Sequence, residues 1–234
     1  MKQPGFDLAL DTSWRGGCFA LGLAGRVVAG RLDGERSHAS DLLERIANEL
    51  NQLGQAPEQL HLTVVGLGPG SFTGLRVGVA TALGLARGSG GPLVGVPSVE
   101  VQCASVLRPN ERALAVSDAR GGRFTLAGYE RDPAGALGCW LEPRAETLDP
   151  WRAAVRSALE QATGHPTPCR LLSDPACAEK LEPDLGERAE APPPPDGRLL
   201  LELGRHKHAT AGPDDPAAVR PLYLFPFEAK PRKR

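Results

Sequence analysis

Lysine is scarce in this sequence of 234 residues: five stand against 22 arginines, and none lies between Lys2 and Lys180. A phosphate-binding P-loop needs a lysine directly after its glycines to reach the outer phosphates, so that device is excluded from the whole intervening stretch. Ile46 is the sole isoleucine, while glycine (28) and proline (22) are plentiful. That bias fits a GC-rich genome, and glycine or proline signals disorder here only where it is concentrated. The five cysteines never form a CxxC pair, which speaks against a zinc cluster or a disulfide framework and for reduced thiols in a cytosolic protein. No apolar run reaches membrane length, and Asp7 and Asp11 interrupt the N-terminal one, so neither a membrane span nor a signal peptide is expected. The net charge is −1, too small for a global field toward nucleic acid or membrane. The basic tail Lys230–Arg234 reads as a solvated end.

The length suits one large or two small domains. Residues 6–12, 18–23 and 26–32 are short apolar or alternating runs separated by glycine-bearing turns, as in an antiparallel meander. From Ser37 the period changes: Leu42, Leu43, Ile46, Ala47, Leu50 and Leu53 share one helical stripe, with Ser37 or Ser40 as the cap and Gly54 as the stop. A strand at 62–67, a helix at 75–87, a strand at 92–96 and a helix at 98–107 follow, giving the order β-β-β-α-β-α-β-α. The second half also begins with strands, at 112–118, 123–130 and 137–143, the first two joined at Gly121-Gly122. A helix at 150–162 and a strand at 169–173 come next. The four prolines of 192–195 form an extended connector, 199–210 a last helix, and Pro221–Phe225 an apolar anchor. The fold class is α/β, with domains at 1–108 and 109–234, and the last helix is in reach of the first domain.

The segment GPGSFTGLRVGVATALGLARG, residues 68–88, looks like a phosphate cradle at the mouth of a helix. It fails three templates. Thr73 stands where both a P-loop and the dinucleotide fingerprint require glycine, and Pro69 occupies the first glycine position of a nucleophile elbow around Ser71. What it retains is a set of backbone N–H groups and the hydroxyls of Ser71 and Thr73 at a helix N-terminus, a general anion site or simply a self-capped helix. Gly74, Gly78 and Gly84 are expensive inside a helix, at about 1 kcal/mol each against alanine. Close approach of another backbone would repay them, within the domain or across an interface, with Leu75, Val79 and Leu83 as contacts and Arg76 at the flank.

Asp11-Thr12-Ser13 ends the first strand where α/β folds place ligand-binding carboxylates, and where turn-forming Asp residues are just as common. Asp118-Ala-Arg120 takes the corresponding place in the second half. His206 and His208 diverge by roughly 200° on a helix and cannot share a metal. No two histidines stand four apart, so a shared imidazole metal site of HxxxH type is missing.

Residues 68–86 closely resemble the signature of the TsaB (YeaZ) family of bacterial tRNA threonylcarbamoyladenosine biosynthesis proteins. Leu8-Ala-Leu-Asp-Thr-Ser13, Glu35-Arg-Ser-His-Ala-Ser-Asp-Leu-Leu43, Pro97-Ser and Asp118-Ala-Arg-Gly strengthen the likeness, which covers about the first 125 residues. The resemblance implies an actin-like ATPase (ribonuclease H-like) fold of two βββαβαβα-type domains, the second shorter and irregular. It further implies a noncatalytic subunit, without catalytic or metal-binding residues, in a cytoplasmic heterodimer. That subunit activates a TsaD-like transferase, is joined by a TsaE-like ATPase, and reaches tRNA through the complex. The paired surface implied is formed by the first two helices, with Ser37, His38, Leu42, Leu43, Ile46, Leu75, Arg76, Val79 and Leu83. Asp11, Thr12, Ser13, Gly70, Ser71 and Thr73 are the candidate nucleotide or anion contacts. No cofactor is expected on the chain alone; an adenine nucleotide at the subunit interface and a homodimer in the partner's absence stay open. An active small ATPase or carbohydrate kinase, and a peptidase-like hydrolase, are the alternatives.

Overall fold

The computed structural model describes residues 5–14, 16–31, 39–163 and 169–224. Nine strands and seven α-helices are formed among them. By internal contact the described residues divide into two units, those within 5–107 together with 192–222, and those within 108–191 together with 223–224. The first unit thus takes back the chain after the second.

In the first unit β1 (Phe6–Asp11), β2 (Cys18–Leu23) and β3 (Arg26–Arg31) form the antiparallel meander, and β4 (Leu60–Gly66) and β5 (Leu93–Val96) add parallel to β1. The spatial order is β3-β2-β1-β4-β5. Alternation along β1 divides the core. Phe6, Leu8 and Leu10 face α1 (Ala39–Gln52) and α2 (Phe72–Ser89), where Leu42, Ile46, Val79, Ala82 and Ala86 meet them. On the opposite face Ala9, Ala20 and Val64 meet Val101 of α3 (Ser98–Val106) and Leu200 and Leu201 of α7 (Gly197–Ala211).

The prolines of 192–195 join no helix or strand, as their missing N–H groups require. Their carbonyls are held instead: Gln102 Nε2 donates to Pro193 O at 2.9 Å and Arg31 Nη1 to Pro195 O at 2.8 Å. Beyond α7, Asp214 covers the open edge of β5. Its Oδ2 accepts from Gly95 N (2.8 Å) and from Lys207 Nζ (2.9 Å), and its own N–H donates to Leu93 O (2.9 Å). Leu222 N donates to Leu67 O at 2.8 Å, so the expected anchor is tied by its backbone; Phe225 and the basic tail lie outside the described residues.

The second unit repeats the plan in shortened form. β6 (Arg112–Arg120), β7 (Arg123–Arg131) and β8 (Leu137–Thr147) are antiparallel, α4 (Leu148–Ala162) crosses over, and β9 (Cys169–Ser173) returns parallel to β6, giving β8-β7-β6-β9. Gly121 and Gly122 turn the first hairpin with φ of 63° and 75°, which suits glycine and matches the twist of the strands. The core is built on Trp151, fully buried, stacked 4.8 Å from Phe124 and donating its indole N–H to Thr125 O at 3.0 Å. Two short helices went unread in the sequence, α5 (Pro175–Ala178) and α6 (Pro183–Arg188). Each starts on a proline directly after an acidic residue, and Asp174 Oδ1 accepts from Cys177 N at 2.9 Å.

Among the described residues no helix is long and apolar enough to cross a membrane. All five cysteines are free thiols.

Candidate functional site

At the C-terminal end of β1 the chain turns through Thr12 and Ser13, and the glycine loop folds directly onto it. Ser71 N donates to Ser13 O at 2.7 Å and Thr12 Oγ1 to Gly74 O at 2.6 Å. On the other side of the loop, Gly68 N donates to Ser98 Oγ (2.9 Å), and Ser98 N returns a bond to Gly68 O (2.7 Å). Of the candidate nucleotide or anion contacts, Asp11, Thr12, Ser13, Gly70 and Ser71 are therefore brought together. They meet one another rather than an open cradle: a Cβ at Gly70 would lie 2.3 Å from Ser13 O. Thr73 is exposed on the first turn of α2.

The helix begins three residues before the expected Leu75, because Ser71 caps it. Its Oγ accepts from Gly74 N at 3.2 Å and its carbonyl from Leu75 N at 2.8 Å. Ser71→Ala is expected to cost about 1 kcal/mol of stability through this cap, seen as a lowered Tm in a thermal melt.

Asp11 is 1 % exposed. One carboxyl oxygen, Oδ1, accepts from Ser13 N at 2.7 Å, and Oδ2 has no hydrogen-bond partner. Burial raises its pKa; the hydroxyls of Ser13 and Ser98 and the distant charge of Arg31 offset part of that rise. A carboxyl in this setting makes a poor cation ligand, since β4 lies flush against it: a Cβ at Gly66 would fall 2.0 Å from Oδ2. Among the described residues no three His, Cys, Asp or Glu side chains converge as a metal site.

The first two helices carry the second candidate site. Leu42, Ile46, Leu75 and Val79, expected at a partner's surface, are buried within their own unit, and Leu83 packs half-buried against the same core. Their apolar stripe is what holds the helices on the sheet, so these side chains are not on offer. For Gly74 and Gly78, of the two alternatives, it is packing within the domain that the structure shows. A Cβ on Gly74 would meet Thr12 O at 2.0 Å, and one on Gly78 would meet Thr12 Oγ1 at 2.2 Å, so the backbone they admit is the chain's own. Gly84 differs, with nothing within 4 Å of its Cβ position. Leu43 is 41 % exposed and Phe72 40 %, and Arg76 lies over the Phe72 ring, 3.9 Å from its centre. Ser40 falls inside α1 and not at its cap, while Ser37 and His38 lie outside the described residues.

A family model described as TsaD, tRNA N6-adenosine threonylcarbamoyltransferase, matches residues 33–134, under half of the chain. The tRNA threonylcarbamoyladenosine biosynthesis protein TsaB of Escherichia coli is 35 % identical over 130 residues, which are 55 % of this chain and 56 % of that protein. An uncharacterized protein of Mycobacterium bovis is 31 % identical over 197 residues, 84 % of this chain and 79 % of its own. YeaZ from Pseudomonas aeruginosa superposes with a TM-score of 0.74 at 24 % identity, covering 94 % of this chain and all of that one. The chain belongs to the TsaB (YeaZ) family. Its alignments span about half the length of the curated TsaB relatives, 56 % and 49 % of the first two. The strand order of the first unit recurs, shortened, in the second, and the fold is that of YeaZ from Pseudomonas aeruginosa.

Within this TsaB-family fold, sequence reasoning missed two surface residues and misplaced a third. Trp14, 37 % exposed, follows Ser13, and Phe72 follows Ser71; the Ser13–Ser71 bond joins their chain neighbours at the same end of the sheet. The available signal was an aromatic directly after a hydroxyl residue at a strand end and at a helix start. Gly84 was noticed but grouped with Gly74 and Gly78, whose surroundings are opposite.

Proposed function

We propose that this chain is a noncatalytic subunit in the formation of N6-threonylcarbamoyladenosine next to the tRNA anticodon, binding and activating a TsaD-like transferase. The outer face of α1 and α2 is the docking surface, and Gly84 is the observation that carries it. An exposed glycine in mid-helix costs about 1 kcal/mol, and nothing in its own unit approaches it closely enough to need the missing side chain. A second backbone from outside supplies the reason. Leu43 on α1 and Phe72 at the start of α2 add exposed apolar surface of the kind that anchors interfaces, and Arg76 is the polar edge. The self-filled glycine loop agrees with a subunit that leaves the chemistry to its partner. The setting is the cytoplasm, a TsaE-like ATPase joins the complex, and tRNA is reached through it. An adenine nucleotide enters only at the subunit interface, and the same face pairs two copies when the transferase is missing.

Co-purification with a TsaD-like transferase tests the reading, together with the threonylcarbamoyladenosine content of digested tRNA after deletion of the gene. Co-elution and loss of the modified nucleoside are expected. Separate elution with unchanged tRNA overturns the proposal. Turnover of Mg-ATP by the isolated chain would favour the kinase alternative.

A further inference from the structure

Asp11 and Ser13 leave two buried polar atoms unpaired within one turn of chain, Asp11 Oδ2 and Ser13 Oγ. Both residues are almost wholly buried. An ionised carboxylate in such a place, with one N–H donor, the hydroxyls of Ser13 and Ser98 near it and no cation in contact, costs more in lost solvation than these contacts return. A neutral carboxylic acid does not, and its O–H is a donor that a carboxylate lacks.

We propose that Asp11 is carried as the neutral acid and works as a proton-dependent latch, holding the glycine loop onto the end of β1 and loosening it on ionisation. The proposal is independent of the partner reading. Its geometry is a chain of contacts: Asp11 Oδ1 fixes Ser13 N at 2.7 Å, Ser13 O fixes Ser71 N at 2.7 Å, and Thr12 Oγ1 fixes Gly74 O at 2.6 Å. Opening this chain frees the start of α2, with Phe72 and Trp14 beside it.

The groups facing Asp11 are few. Cys18 lies opposite on β2, and its thiol is itself pushed up by burial first and by Asp11 second. Arg31 on β3 supplies a weak favourable field, β4 presents only Gly66, α3 presents the Ser98 hydroxyl, and Asp196 before α7 acts on Cys18. None forms an ion pair that would hold the carboxylate. Burial therefore raises the folded pKa above the unfolded value. The stabilisation is full below the unfolded pKa and is lost as pH rises through the folded one.

Hydrogen exchange of the Ser71 amide tests this in the intact chain. Opening releases one proton between the two pKa values, so wild-type exchange should rise by about tenfold per pH unit beyond its intrinsic rate as pH climbs above the ordinary Asp value of about 3.9. Asp11→Asn, which keeps the shape without the proton, should show no excess slope. An infrared band of a protonated carboxylic acid that persists in the wild type above the ordinary Asp value of about 3.9, and is absent from Asp11→Asn, is the second expected result. If the variant does not fold, the wild type decides alone: no excess slope and no acid band overturn the latch. Equal slopes in the two proteins do the same.

Discussion

Gly84→Arg leaves the isolated chain folded and abolishes its pairing with a TsaD-like transferase. The two halves of that result have separate causes. In the free chain the new side chain enters open solvent, since nothing lies within 4 Å of the Cβ position, and arginine is a far better helix former than glycine. Stability should hold or rise by about 1 kcal/mol. In the complex the same position is where a second backbone comes close, and burying an unpaired guanidinium there costs several kcal/mol, a loss of at least about a hundredfold in affinity. Calorimetric titration of wild type and variant with the transferase measures the second half, and a thermal melt the first. An unaltered affinity with unchanged melting would place the interface away from α2. Leu75→Arg or Val79→Arg would not serve, because both side chains are buried in their own unit and the loss of pairing would follow from unfolding.

The elements were legible where local chemistry decides them. Alternation at Phe6, Leu8 and Leu10 and the stripe Leu42, Ile46, Leu50 name both the element and the face that it buries. Gly121-Gly122 named its own turn. The third strand of that sheet, β8, runs to Thr147, past the expected end at Pro143, because it is an edge strand and an edge tolerates a residue without N–H. What stayed hidden was non-local. The last helix was placed in reach of the first domain, but that α7 covers the face of β1 and β4 opposite α1 and α2 depends on a return of the chain after more than eighty residues, and no pattern within Gly197–Ala211 says which face it will meet.

The site was half legible for the same reason. Asp11-Thr12-Ser13 and the glycine loop were picked out by residue type, and they do converge. Residue type says nothing of what each glycine faces. In α2 the spacing from Gly74 to Gly78 is four and from Gly74 to Gly84 ten, so with about 3.6 residues per turn the first pair lie on one side and Gly84 is turned well away. A helical wheel showed the difference in angle but not which side held the strand.

Gly74→Ala should therefore do the opposite of Gly84→Ala, although the two changes are chemically identical and fall in one helix. By intrinsic propensity each gains about 1 kcal/mol. At Gly84 that gain stands, and the melting temperature rises. At Gly74 the new methyl lands 2.0 Å from Thr12 O, a backbone atom that cannot rotate aside. Either α2 lifts or the end of β1 shifts, and each movement breaks the 2.6 Å bond from Thr12 Oγ1 to Gly74 O and strains the neighbouring Ser13–Ser71 bond. Overpacking of this kind costs about 3 kcal/mol, well beyond the propensity gain, so a net loss of about 2 kcal/mol or more is expected by urea titration. Because the strain falls on the latch that includes Asp11, Gly74→Ala should also raise exchange of the Ser71 amide at every pH, whereas Gly84→Ala leaves it unchanged. Equal stability changes in the two variants would mean that α2 does not rest on Thr12.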